Sequence, residues 1–189
     1  ITTPLPSGIQ TSLSPLVDDA TNTLTITVTA PDGTPQTYSL VVPRGYREIP
    51  GGYYTVNDFS ALANSASHIK LGGDITLTDT ATGPLIDTTP YIAAFVFDGA
   101  GHKIRGLRIN ATSEASFIAS NQGIVENLTL EDVAITSSST ASVNVAGLVG
   151  LNWGSIHRCS VSGTITATAV AVDNESGIGG LVGITMVYS

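Results

Sequence analysis

The second half of the chain repeats a short pattern of apolar residues. In each copy three apolar positions are spaced three and then two residues apart. A spacing of two is typical of a strand whose alternate side chains face one side, and the longer interval indicates a bend between short strands. The aligned copies are Ile104, Leu107 and Ile109; Val125, Leu128 and Leu130; and Ile156, Cys159 and Val161.

A second signal also recurs after a few tens of residues. The segment Gly147-Leu148-Val149-Gly150 returns 33 residues later as Gly180-Leu181-Val182-Gly183. Repetition at this spacing predicts a solenoid, in which each turn buries its apolar face by stacking on the next. We therefore predict an all-β fold, a parallel, right-handed β-helix with the nine aligned residues as its core ladder. Glycines such as Gly123 and Gly154 would form corners, where φ is positive or the next coil approaches closely.

A short helix is predicted before the first coils. Asn57 is a suitable N-cap, Asp58 complements the helix dipole, and Phe59 begins an apolar stripe. We expect the helix to span Asp58–Asn64 and to cap the open end of the solenoid, which would otherwise expose its core.

The first 44 residues follow a different pattern. Thr23–Thr29 alternates apolar and polar residues, Pro31-Asp32-Gly33 favours a turn, and Tyr38–Val42 is the return strand. Residues 1–23 are rich in Pro, Ser and Thr and predict an extended arm or edge strand. A two-stranded hairpin is marginally stable alone. Its partners would therefore lie upstream, in another molecule or on the solenoid.

These patterns divide the chain into three parts. Residues 1–44 are predicted to form an incomplete β-sandwich-type segment, residues 45–52 a linker, and residues 53–189 the β-helix. The chain lacks an initiator Met and stops inside a repeat, so we expect a fragment of a longer protein.

Two resemblances follow from these residues. Gly147-Leu148-Val149-Gly150, with Asn152, Gly154, Ile156 and Cys159, resembles the GLUG repeat of large bacterial surface proteins, including adhesins and immunoglobulin-A peptidases. The hairpin, with Asp32-Gly33 and Tyr38, is similar to the C-terminal half of a cadherin-like β-sandwich module. The likeness to the repeat lapses at Thr185, where Asn is usual. Together the resemblances imply an adhesive, extracellular or cell-surface role.

Composition excludes several classes of function. The formal net charge is −8, and nucleic-acid binding needs clustered Lys and Arg. No apolar run approaches the ~20 residues of a membrane helix, so we expect no membrane insertion in this segment. The single cysteine, Cys159, excludes an intrachain disulfide, and its place in the ladder predicts a small hydrophobic residue. The scattered histidines and unspaced acids predict neither a metal site nor a cofactor.

The candidate site residues are Asp98, His102, Arg105 and Trp153. The first three belong to the one charge cluster, together with Lys103 and Arg108, and Trp153 at a corner offers an aromatic platform for a sugar. A glycosidase would need two carboxylates about 5–9 Å apart, and Asp74 or Asp79 would have to supply the partner of Asp98. A solvated outer face explains the cluster better, so we predict no catalytic residues and no enzyme.

The alignment also orders the outer face. It places Arg105, Glu126 and His157 at equivalent positions on successive coils, so that a carboxylate lies between two basic groups. Such cross-strand pairs contribute about 0.2–1 kcal/mol each and would fix the register.

Two functional hypotheses follow. The first is a structural and adhesive segment of a large secreted or surface protein, which binds a host or surface glycan or protein receptor. Self-association into a filament through the N-terminal strands is a variant of it. The alternative is a carbohydrate-active or peptidase-associated β-helix with a polysaccharide-binding face.

Overall fold

The computed structural model describes residues 9–12, 20–29, 32–87, 95–141, 143–168 and 177–186. The chain divides into two compact units, Ile1–Tyr46 and Arg47–Ser189. In the first unit, strands β1 (Ile9–Ser12), β2 (Ala20–Thr29) and β3 (Pro35–Arg44) form an antiparallel sheet in that order.

The observed hairpin extends beyond the alternating segment from which it was predicted. β2 and β3 pair over their full lengths, and Asp32 and Gly33 form the turn between them. The Asp32 carboxylate accepts the Thr34 N–H at 2.9 Å, which lowers the pKa of Asp32, and Gly33 has φ 85°. β1 adds a third strand in the region predicted as an arm or edge strand. Completion of a β-sandwich stays a prediction.

The second unit is built of short parallel strands and one helix. Its elements are β4 (Arg47–Ile49), β5 (Gly52–Tyr54), α1 (Val56–Ala63), β6 (His68–Leu71), β7 (Ile75–Leu77), β8 (Thr80–Ala81), β9 (Val96–Asp98), β10 (Lys103–Arg105), β11 (Arg108–Ala111), β12 (Ile118–Asn121), β13 (Ile124–Glu126), β14 (Thr129–Ser137), β15 (Val145–Ala146), β16 (Val149–Asn152), β17 (Ser155–His157), β18 (Ser160–Ala167), β19 (Ile178–Gly179) and β20 (Val182–Thr185).

These strands stack into a β-solenoid, which confirms the predicted fold class. The five-stranded sheet has the order β4-β6-β9-β13-β17, and the seven-stranded sheet contains β5, β7, β10, β14, β11 and β8, with β18 on β14. A three-stranded sheet, β12-β16-β20, and the pair β15-β19 complete the turns. Every strand pair among the described residues of this unit is parallel, as expected when each turn rests on the previous one.

The register of the two later repeats follows the alignment. Val125 lies opposite Ile156, and Leu130 lies opposite Val161. Leu128 is fully buried, and Cys159 packs against the core at the matching corner.

The earlier copy is displaced from its predicted register. Phe97, not Ile104, lies opposite Val125, and Ile104 instead pairs with Leu130. The interval from Phe97 to Ile104 is seven residues, whereas that from Val125 to Leu130 is five, because the turn at Ala100 and Gly101 inserts two residues. Arg105 therefore lies opposite Glu131, and the predicted row of Arg105 with Glu126 and His157 is wrong in its first member.

The solenoid begins inside the predicted linker. Residues 47–49 pair with β6, and residues 52–54 pair with β7. Ile49 is fully buried and extends the core, which is why this Pro- and Gly-containing stretch folds into the first coil. The corner between its strands is narrow: a side chain on Gly51 would meet the Gly73 Cα at 2.9 Å.

The capping helix starts two residues earlier than predicted. Thr55, not Asn57, is the N-cap, and its hydroxyl accepts the Asp58 N–H and donates to the Asp58 carboxylate at 2.7 Å. The Asp58 N–H at the helix terminus is satisfied in this way, and the Val56 N–H donates to the Asp79 carboxylate. The buried Phe59 ring packs 5.8 Å from Phe117, so the helix covers the core at this end.

Buried polar residues mark another corner of the coils. The Asn121 and Asn152 side chains stack, with the Asn121 amide donating to the Asn152 carbonyl oxygen at 2.7 Å. Asn121 also accepts the Gly123 N–H at 3.0 Å, and Asn152 donates to the Gly154 carbonyl at 3.1 Å. A side chain on Gly154 would overlap the Gly123 carbonyl, so this glycine serves close approach of the coils. Thr185 continues the register after Asn152.

Candidate functional site

One outward row of the five-stranded sheet is occupied by ionisable side chains. Successive strands place Glu48, Lys70, Asp98, Glu126 and His157 opposite one another. Neighbouring strands lie ~4.8 Å apart, so the row runs along the solenoid axis. The carboxylates of Asp98 and Glu126 are adjacent in this row. The sequence alignment did not predict that pair, because it gave the coil of Asp98 the wrong register.

Like charges on neighbouring strands are unfavourable by about 0.2–1 kcal/mol, and hydrogen bonds offset the cost here. Asp98 accepts the Ala100 N–H at 2.8 Å and the Asn127 amide at 2.9 Å. The Glu126 carboxylate accepts a hydrogen bond from the Arg158 guanidinium at 3.0 Å, and Arg158 Nε donates to the side-chain Oδ1 of Asn127 at 2.6 Å. Asp98, Asn127 and Arg158 thus form a hydrogen-bonded chain across three coils, which we call the corner ladder.

The corner ladder is held by unusual backbone conformations. Asn127 and Arg158 both have positive φ, 54° and 49°, and Ala100 has φ 52°. Asn adopts the left-handed region readily, but Arg and Ala do so at a cost of about 1–2 kcal/mol. Residues in such conformations persist where surrounding structure determines them, and they cluster at functional sites.

A groove of about 520 Å³ opens beside the corner ladder. Its walls are polar side chains and the small residues of the turn between β9 and β10. The lining residues are Lys70, Asp98, Ala100, Gly101, Asn127, Thr129 and Arg158. We call this space the corner groove; its volume falls in the usual range for ligand sites.

The structure separates the predicted charge cluster. Asp98 belongs to the five-stranded sheet, whereas past the corner His102 directly precedes β10 and Arg105 lies on β10, in the seven-stranded sheet. His102 approaches Asp74 at 3.4 Å, and Arg105 contacts Asp74 at 3.3 Å and Glu131 at 2.9 Å.

The charged residues on and directly before β10 form a network of ion pairs with carboxylates of neighbouring coils. Lys103 Nζ lies 2.6 Å from Glu131, and hydrogen bonds from Lys103 and then Arg105 lower the pKa of Glu131. The Lys103 backbone N–H, followed by the Arg105 charge, lowers the pKa of Asp74. Arg108 separately contacts Asp132 at 2.6 Å and the Asp132 carbonyl. These groups bind one another across the coils and stabilise the register.

Trp153 and Cys159 lie elsewhere. Half-buried Trp153 precedes β17 at the end opposite Arg158, and its backbone N–H donates to the Asn121 backbone carbonyl at 2.8 Å. Half-buried Cys159 contacts the His157 carbonyl at 3.2 Å, and burial raises the pKa of its thiol. A raised pKa disfavours the reactive thiolate. Sugar contact at Trp153 stays a prediction.

Sequence reasoning missed Lys70, Asn127 and Arg158. Asn127 and Arg158 occupy the same repeat position, 31 residues apart, and directly follow the outward residues Glu126 and His157. Their spacing, equal to the repeat, could have predicted that these two residues stack on successive coils. Lys70 required the correct pairing of β6 with β9.

The described residues lack two other features. Among the described residues, no group of three or more His, Cys, Asp or Glu side chains is placed to hold a metal ion. In the same part of the chain, no helix has the length and apolar character needed to cross a membrane.

Comparison with known proteins identifies one motif. A family model described as the GLUG motif matches residues 141–166, which contain β15–β17 and most of β18. No curated protein and no solved structure matches the chain. The motif and the solenoid together fit a GLUG β-helix.

Proposed function

We propose that the chain is a structural and adhesive segment of a large secreted or cell-surface bacterial protein. A structural repeat segment is consistent with the motif match and the β-solenoid fold. The adhesive role, the extracellular location and a glycan or protein receptor are the proposal.

The continuous hydrophobic core is the observation that carries the proposal. Buried apolar side chains extend without a break from Ile49 in the first coil to Val149 near the last, and Phe59 covers one end. A stack of this kind holds the coils in fixed register through backbone hydrogen bonds and interdigitated side chains. Outward positions can then take part in recognition without a change in the core.

The outward faces suit contact with a hydrated surface. They carry Ser, Thr and paired charges; on β18, for example, Ser160, Ser162, Thr164 and Thr166 are exposed. Such a rod separates its two ends and presents polar groups along its length.

A detachment assay tests the adhesive role. Beads coated with the 189-residue chain are placed on glycan-bearing cells under increasing flow. We expect retention above that of beads coated with a heat-denatured sample, because recognition depends on folded coils. Equal detachment of the two samples, on every surface tried, would refute an adhesive function.

A carbohydrate-active β-helix is the second candidate. The neighbouring carboxylates Asp98 and Glu126 beside a groove favour it, because hydrolysis of a glycosidic bond uses two such groups. Release of reducing ends from a polysaccharide, lost in both Asp98→Asn and Glu126→Gln, would establish it. Binding without release supports the adhesive segment instead.

Filament assembly through the first unit is a variant of the first proposal. The three-stranded antiparallel sheet of β1, β2 and β3 supports it, since unpaired sheet edges accept strands from other molecules. Light scattering of the full chain should then give a mass that rises with concentration. A constant monomer mass would exclude assembly.

A further inference from the structure

Strand β3 of the first unit has one unpaired side. Among the residues that the structure describes, it pairs with β2 along its full length and has no strand on its other side, which we call the β3 edge. The opposite edge of this sheet is the shorter strand β1. An unpaired strand presents its backbone N–H and C=O groups to other chains. The β3 edge is therefore the longer of the two places where this sheet can accept a further strand.

Two prolines identify the backbone groups that face the β3 edge. Pro35 and Pro43 both lie within the ladder with β2. Proline has no N–H, and within a strand its nitrogen faces the unpaired side. Because successive residues of an antiparallel strand alternate between the two sides, every odd-numbered residue of β3 faces the same way as the prolines. The donors of the β3 edge are therefore the N–H groups of Thr37, Ser39 and Val41.

The two prolines are equally far from Ser39, on either side of it. If a second copy of β3 pairs antiparallel about this residue, Ser39 lies opposite itself and Thr37 lies opposite the second copy's Val41. Each of these pairs exchanges both backbone hydrogen bonds, and each proline lies opposite a proline. A shift by two residues would instead place a proline opposite one of the three donor residues, whose carbonyl would then receive no hydrogen bond. The β3 edge is thus complementary to itself in one register.

The residue types along the β3 edge also favour a second copy. From Pro35 to Pro43 the sequence contains no charged residue. Lysine and other charged side chains commonly protect exposed edge strands, and like charges directly opposite each other destabilise a strand pair. Because this stretch carries no charge, no repulsion between opposite side chains opposes the pairing of two copies.

We propose that the β3 edge binds a second copy of this chain, with the two strands antiparallel about Ser39. The two three-stranded sheets then become one continuous sheet. A two-fold interface uses the same surface on both chains, so assembly through this edge closes after two. The inference rests on the proposed self-association through the first unit and narrows it from a filament to a dimer.

Light scattering of the full chain across a range of concentrations tests the dimer. We expect the mass to rise from one chain to two and then stay constant. Ser39→Pro removes the central donor of the β3 edge but no hydrogen bond to β2, so it should raise the dissociation constant at least tenfold. Ser39→Ala keeps the backbone N–H and is the matched control, which should dimerise as the unmodified chain does.

Three results would overturn the proposal. The first is a constant monomer mass for the unmodified chain. The second is a mass that grows past two chains, which would support the filament instead. The third is an unchanged dissociation constant in Ser39→Pro, with circular dichroism verifying that the variant is folded.

Disulfide formation tests the register even if Ser39→Pro does not fold. In a Cys159→Ala chain, Ser39→Cys would place two thiols opposite each other. The Cα atoms of such a hydrogen-bonded pair are about 5.5 Å apart, within the range of about 4.4–6.8 Å that a disulfide spans. Thr37→Cys is the control, because its two copies would be separated by four residues, roughly 14 Å along the strands.

We expect mild oxidation to convert Ser39→Cys into a covalent dimer and to leave Thr37→Cys as separate chains. Denaturing electrophoresis without a reductant measures both. Equal cross-linking of the two variants, or none in Ser39→Cys, would overturn the register.

The detachment assay separates this proposal from the adhesive function. If the chain dimerises but the beads are not retained on cells, the pairing of β3 stands and the adhesive function fails. If the chain stays monomeric but the beads are retained, the pairing of β3 is wrong and the adhesive segment stands.

Discussion

Two consecutive coils with the same apolar pattern differ in burial. On the coil of β13 and β14, Val125 and Leu130 are fully buried. Their partners on the next coil, Ile156 and Val161, are half-buried although the residue types are similar. Among the described residues, β13 and β14 have strands on both sides, whereas β17 and β18 pair on one side. Burial in this fold therefore depends on the neighbouring coils as much as on the residue.

The largest loss of stability is expected on the coil of β13 and β14, which has neighbouring coils on both sides. Leu130→Ala should lower the free energy of unfolding by about 2–5 kcal/mol, because the cavity is enclosed by coils that cannot collapse into it. Urea denaturation monitored by circular dichroism measures the loss. Ile124→Ala, at a side chain 40% exposed on the same coil, is the control and should lose far less. Equal losses would contradict the role of two-sided stacking.

Close approach of the coils gives the second prediction. A side chain on Gly123 would overlap the Phe95 carbonyl, so Gly123→Ala should cost about 1–3 kcal/mol through displaced backbone. Gly83→Ala is the matched control, since its added methyl group meets nothing within 4 Å. Denaturation midpoints of both variants test the difference. A loss in Gly83→Ala as large as in Gly123→Ala would remove the steric explanation.

A smaller loss of stability is expected on the coil of β17 and β18, which pairs on one side among the described residues. Val161→Ala should cost about 1 kcal/mol, since its methyl groups are half-buried and the open side lets neighbours relax. The measurement is the same urea titration used for Leu130→Ala. A loss in Val161→Ala equal to that in Leu130→Ala would mean that this position is covered as fully as its partner.

The sequence predicted the solenoid well because its repeats are regular where insertions are absent. From Val125 to Leu130, paired residues of neighbouring coils are 31 positions apart, so the register of this stretch follows directly. Upstream, the turn at Ala100 and Gly101 lengthens one coil, and spacing alone misplaced Ile104. The capping helix was recognised from its polar and apolar pattern, but the choice of Thr55 over Asn57 depends on hydrogen bonding within the first turn.

The candidate site was harder to predict from the sequence than the fold was. Asp98, His102 and Arg105 are close along the chain, but a corner between β9 and β10 separates Asp98 from the other two. The corner groove instead gathers Lys70, Asp98, Asn127 and Arg158 from four coils, and such a set emerges only when the strand register is known.

The smallest effect concerns the ion pairs of the seven-stranded sheet. Hydrogen bonds from Lys103 and Arg105 hold the pKa of Glu131 below its ordinary value of 4.5. A carboxylate whose pKa is lower in the folded state contributes stability above its unfolded pKa and loses that contribution as pH falls through the folded pKa. The stability difference between the unmodified chain and Glu131→Gln should therefore be constant above about pH 5.5 and shrink from about pH 4.5 downward. Because the pair is exposed, 1 M salt should reduce the difference at neutral pH. Urea titrations from pH 7 to pH 3 measure it, and a difference that did not change with pH would mean that Glu131 stabilises the coils by packing and not by charge.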